Sequence, residues 1–156
     1  MKDNERIQLM DELADRLNMQ PEGEWTASEL SGRVFRWCLQ VLVQMPETAR
    51  ENFLHQQPSV WWLHPGTSCC AASGSITRRT WHPIIILQSD LACVPVNEAK
   101  GIIAHEFAHL VLKHWHPRQL RYKTDDRREA EADRLACDWG FSEEIAALRM
   151  EKRVVR

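Results

Sequence analysis

No stretch of this chain stays apolar for the roughly 18 to 20 residues that a bilayer-crossing helix needs, which counts against any membrane-embedded class. Met1 to Leu17 is charged and lacks the apolar core of a secretory leader. Neither sign of charge dominates: 20 Lys and Arg against 22 Asp and Glu give a formal net charge of −2. Electrostatics therefore offers no argument for a nucleic-acid partner or an anionic membrane surface. Cysteine is scarce and unpaired in pattern, with five residues, an odd number, and no C-x-x-C spacing. That fits a reducing, cytoplasmic setting better than a disulfide framework. Cys38, Cys93 and Cys137 lie in apolar segments and are expected to be small buried hydrophobes. The adjacent pair Cys69-Cys70 fits structural thiols, with a second metal site shared with His64 or His82 as the other option. There is no internal repeat and no low-complexity tract, so 156 residues read as one domain that buries roughly two-thirds of its unfolded surface.

What is present falls into four parts. Residues 1–58 read as helical. Ile7, Met10, Leu13, Ala14 and Leu17 recur on one face, and Gln20 to Trp25 is a turn. Thr26-x-x-Glu29 has the form of a capping box before a longer helix with Leu30, Val34, Trp37, Val41 and Met45 inside. Pro46 to Gln57 reads as a short helix or turn. Residues 59–94 read as a small sheet, with Val60 to Leu63 and Ile84 to Leu87 as strands and a hairpin around Gly74 in the Gly66–Thr80 loop. Residues 95–141 carry two further helices and residues 142–156 a last one. The order predicts an α+β domain. Seven Trp are many for this length; Trp61, Trp62, Trp81 and Trp115 flank the third part, as core filling or as pocket walls.

The third part contains His105-Glu106-Phe107-Ala108-His109. Two imidazoles four residues apart share one turn of helix and can bind one zinc ion, while the intervening Glu can take a proton from a zinc-activated water. Pro95 suits the first position of that helix, and Ile102, Ile103, Phe107, Leu110 and Val111 recur at helical spacing. In so apolar a stretch two His and a Glu are costly unless a metal compensates them, which disfavours a solvated helix that carries two His by accident. Pro117 is expected to end the segment.

Zinc held by two His and a water still needs another protein ligand. His116 shares the azimuth of His105 and His109 but would lie about 10 Å further along the helix axis, a poor position. Position 112 is Leu and position 115 Trp, so a third His after a Gly turn is absent. Glu129-Ala130-Glu131-Ala132-Asp133 is better placed. Thr124 to Trp139 reads as a helix with Thr124 or Asp125 as N-cap and Gly140 as the stop. Glu129 and Asp133 share one face at i,i+4, and Glu131 points roughly the other way. Glu129 can bind the metal while Asp133 accepts a hydrogen bond from the free nitrogen of a ligand His. The competing reading is an acidic, solvated helix.

HEFAH followed by EAEAD resembles the gluzincin group of zinc metallopeptidases. The ExxAD form is similar to the HtpX/CAAX-protease signature and to the small ImmA/IrrE-type peptidases, and the short spacing resembles the latter or another compact minigluzincin. The resemblance covers roughly residues 84 to 141. It implies a zincin-like fold in which the HExxH helix packs on a second ligand-bearing helix. It further implies Zn²⁺ held by His105, His109 and Glu129, with Glu106 as general base and Asp133 as the orienting group. Asp133 stands where ImmA-type proteins often carry Asn. Oxyanion donors are expected among Tyr122, His114 and His116. The implied partner is a protein or peptide substrate, a co-encoded regulatory or defence protein among the candidates. The implied activity is hydrolysis of a peptide bond; the alternatives are a partner-dependent binding module on the same scaffold and an unrelated helical protein. In such peptidases the strand before the HExxH helix is commonly an edge that takes up substrate, a place that Ile84 to Leu87 would fill as either an edge or a buried strand.

Overall fold

The computed structural model describes residues 3–17, 19–21, 29–63, 71–74, 83–116, 119, 122 and 124–154. Among the described residues the chain is rich in α-helix and carries one small mixed sheet. Helix α1 spans Asp3–Arg16, α2 Glu29–Gln44 and α3 Glu47–His55. Strands β1 (Met19–Pro21), β2 (Ser59–Leu63), β3 (Ala71–Gly74) and β4 (Ile84–Gln88) lie in the order β1-β2-β4-β3. A 3-10 turn at Ser89–Cys93 leads into α4, Val96–Val111. Helix α5 (Asp125–Ala136) passes through a wide π-type turn at Cys137–Phe141 into α6, Ser142–Val154.

Strand β4 is internal. It pairs in parallel with β2, Trp61 opposite Ile86, and antiparallel with β3, Ala72 opposite Ile86. Ile84 to Leu87 is therefore not an edge, and among the described residues the edge on its side is β3. This explains the run of consecutive apolar residues, since Ile84, Ile85 and Leu87 are buried. The Gln20 turn is corrected in part: Met19–Pro21 forms a short parallel strand against β2. Its Pro is tolerated because β1 is the other edge. The hairpin expected around Gly74 is a pairing of β3 with β4 in which Gly74 faces Ile84, and residues 75–82 lie outside the described set.

Helix α4 is the spine of the molecule. Ala99, Gly101, Ile103, Ala104, Phe107, Ala108, His109 and Leu110 are all buried, which leaves it apolar on most of its circumference. It packs against α2, α3, α5, α6 and β3. Phe107 stacks at a tilt on Phe53 of α3 with ring centroids 4.4 Å apart. At Gly101 a Cβ would come within 3.0 Å of Glu144 Cβ, so the absent side chain lets α6 approach α4 closely. From α2 the residues Val34, Trp37, Cys38, Leu39, Val41, Leu42 and Val43 are buried, a wider face than one stripe, as is Met45 just beyond its end, while the Leu30 side chain lies outside the described set. In α1 Leu13 is buried, as is Leu17 just after the helix, and Ile7 is exposed instead of inside. Cys38 is buried and Cys137 half-buried, but Cys93 is exposed, against expectation. Trp37, Trp115 and Trp139 fill the core, Trp115 donating its indole N–H to Gln56 Oε1. Cys69-Cys70 and the side chains of Trp61, Trp62 and Trp81 lie outside the described set. Among the described residues no helix is long and apolar enough to cross a membrane.

Candidate metal centre

Two helix ends shape the centre. Thr124 is the N-cap of α5, its hydroxyl accepting from Arg127 N, which starts the helix where its first acidic turn meets the N-terminal dipole. At the other end Gly140 takes φ +95°, a left-handed conformation that turns the chain from α5 into α6. The end of α4 differs from the sequence expectation. The helix stops at Val111, well before Pro117. Lys113 adopts φ +57°, Lys113 N donates to Leu110 O and His114 N to His109 O. This is a Schellman turn built without glycine, and it folds His114 back under His109.

Helices α4 and α5 pack together and bring His105, His109 and Glu129 to one point. The two Nε2 atoms are 2.9 Å apart, and each lies 3.2 Å from a different oxygen of Glu129. Ligands on a tetrahedral ion with bonds of about 2.0–2.1 Å stand roughly 3.3 Å from each other, so the three side chains can hold a metal ion with little movement. The donor chemistry supports the same fit. His105 Nδ1–H donates to Asp133 Oδ1 at 2.8 Å, which leaves its Nε2 with a bare lone pair. Lone pairs so close together need a cation between them, a proton or a metal. His116 lies outside this set and rests edge-on against Trp115.

The metal-free electrostatics follow from the same contacts. Burial pulls His105 toward its neutral form, but the hydrogen bond to Glu129 and the charges of Glu106, Glu129 and Asp133 outweigh it and raise its pKa. Hydrogen bonds from His105 and His109 hold the Glu129 carboxyl far below the usual carboxylate range, against its partial burial. Asp133 is itself clamped: Arg149 of α6 donates to Asp133 Oδ2 through Nε at 2.6 Å and through Nη2 at 2.5 Å. The same guanidinium is 3.9 Å from Glu129 Oε2. Arg149 was invisible to spacing arguments because it sits on a third helix, and only packing of α6 brings it here.

Glu106 is half-buried beside His105, close enough for its charge to act on that ring. Asp133 lies against the His105 imidazole, its Oδ1 2.8 Å from Nδ1. Glu131 does point away from Glu129, but it is no solvated bystander: its Oε2 accepts from His114 Nε2 at 3.1 Å and its Oε1 from Arg127 Nε at 3.0 Å. His114 is the main departure. Expected among the oxyanion donors, it is 2% exposed with its ring against the far side of His109, Nδ1 to Nδ1 at 2.9 Å. A ring so placed lies on the side of His109 away from Glu129. Tyr122 is exposed, between residues outside the described set. No family model, curated protein or solved structure matches this chain.

Proposed function

We propose that this chain is a zinc-dependent peptidase of the gluzincin type, with a minigluzincin-like fold, acting on a peptide bond of a protein substrate. The observation that supports the reading most is the convergence of His105, His109 and Glu129 from two helices, with Asp133 fixing one ring. Two nitrogens and a carboxylate suit zinc, a borderline-soft ion that favours this donor set. When bound, zinc supplies Lewis acidity, which acidifies a water and polarises a carbonyl.

The protein's own residues do the rest. Asp133, held by Arg149, keeps the His105 hydrogen on Nδ1 and so aims Nε2 at the centre. Glu129 contributes negative charge from the opposite helix. Glu106, one residue from His105 and half-buried, takes the proton of the attacking water and returns it to the leaving amine. A selective regulatory role fits a site framed by three helices, with a co-encoded regulatory or defence protein as the first substrate to assay.

The test is Glu106→Gln. Its zinc content should equal that of the parent chain, and hydrolysis of the substrate protein should fall by about 10²–10⁴-fold, the usual contribution of a positioned general base. Full hydrolysis by the Gln chain, or a parent chain that takes up no stoichiometric zinc, would overturn the proposal.

A further inference from the structure

His114 is a buried titratable side chain that the proposed hydrolysis does not use, yet both its ring nitrogens are engaged. Nε2 is 3.1 Å from Glu131 Oε2, and Nδ1 is 2.9 Å from His109 Nδ1. The direction of these bonds can be deduced. Glu131 is a carboxylate whose other oxygen already accepts from Arg127 Nε, so it accepts from His114 and the hydrogen lies on Nε2. In the neutral imidazole His114 Nδ1 is then bare and accepts. The hydrogen between the two rings belongs to His109 Nδ1, and His109 Nε2 is left as a lone pair facing Glu129 and His105. One chain of hydrogen bonds thus runs from His109 Nδ1–H to His114 and from His114 Nε2–H to Glu131, which Arg127 also supports as a donor.

The backbone holds this chain in place. The turn at Lys113 bonds His114 N to His109 O at 2.9 Å, so the two residues are tied through main chain and ring together. Their rings meet edge-on with centroids 5.0 Å apart, which leaves His109 little freedom to rotate. His105 by contrast leans directly on the carboxylate of Asp133.

We propose that His114, backed by Glu131, is a positioning residue that fixes the Nδ1–H tautomer and the plane of His109, and thereby sets how tightly the centre holds zinc. This inference rests on the zinc reading above. It involves no contact with substrate.

The experiment compares the full chain with H114N, H114Q and H114L. Each is stripped with a chelator and titrated with zinc against a chromophoric competitor, with circular dichroism to confirm folding. Asn places a carbonyl oxygen near the Nδ1 position and can still accept from His109. Gln reaches toward Glu131 instead, and Leu accepts nothing. H114L and H114Q should bind zinc about 10–100-fold more weakly, as loss of a ligand's supporting partner usually does, while H114N stays close to the parent chain. In the zinc-loaded parent, long-range ¹H–¹⁵N spectra should show His109 protonated on Nδ1 and coordinated through Nε2. Parent-like affinity in H114L, equal weakness in H114N and H114Q, or the opposite tautomer at His109 would overturn the relay alone. If H114L does not fold, the contrast between Asn and Gln decides. A parent chain that binds no zinc would overturn the relay together with the peptidase reading.

Discussion

Lys113 offers a direct test of how the end of α4 is built. Its φ of +57° is a conformation that a side chain with Cβ adopts at a penalty of roughly 1–2 kcal/mol. Glycine removes that penalty but gives the unfolded chain more freedom, worth about 0.5–1 kcal/mol in the opposite direction. Lys113 is exposed, so little packing is lost with its side chain. Lys113→Gly should therefore stabilise the protein by roughly 0.5–1 kcal/mol, whereas Lys113→Ala, which keeps Cβ, should leave stability nearly unchanged. For a chain of this size about 2–4 °C of melting temperature accompanies each kcal/mol, so the Gly variant should melt about 1–4 °C higher. Lys113→Pro should do the reverse. Proline fixes φ near −65° and removes the N–H that bonds Leu110 O, so the turn cannot form and about 3 kcal/mol or more should be lost. Urea and thermal melts of the metal-free chains, read by circular dichroism, measure all three. A Gly variant no more stable than the Ala variant would show that the left-handed residue stores no strain.

Three further outcomes are expected. Phe107→Ala removes a fully buried ring that stacks on Phe53, and should lower stability by about 3–5 kcal/mol in urea melts; a loss below about 1 kcal/mol would mean that α4 is not the packing spine described. Burial pushes the Cys38 thiol up to about 12, so at pH 8 a thiol reagent should label exposed Cys93 promptly and Cys38 only after unfolding. Because that thiol ionises more easily when unfolded, Cys38 should contribute stability that declines as pH rises from about 9 toward 12; rapid labelling of Cys38 in the native state would contradict its placement. The raised proton affinity of His105 in the metal-free chain means that zinc must displace a proton, so affinity should weaken by up to about tenfold for each unit of acidification below the raised value. Calorimetric titrations in buffers of different ionisation enthalpy count the protons released, and an affinity flat between about pH 5 and 7 would exclude this competition.

The parts of the site that could be read from the chain are those fixed by local geometry. HEFAH puts two imidazoles on one helical turn whatever surrounds it, and Thr124 and Gly140 mark the limits of α5 because an N-cap hydroxyl and a left-handed glycine act within a few residues. Glu129 and Asp133 could be paired on one face for the same reason. The position of His114 was not legible. The turn that folds it beneath His109 normally carries glycine at the left-handed place, and here that place is Lys113, so periodicity alone suggested a helix running on to Pro117. The exposure of Cys93 and the internal place of β4 were equally hidden, since apolar neighbours do not say which strand lies at an edge.

Which donors exist, and how they are spaced along each helix, follows from the order of residues alone, because 3.6 residues per turn is a property of the backbone. The packing of α5 on α4, the clamp of Arg149 from α6 on Asp133, and the second line of support from Glu131 through His114 to His109 arise from long-range docking. These depend on how apolar faces such as that around Gly101 and Phe107 dock, and docking is a collective outcome of the whole core.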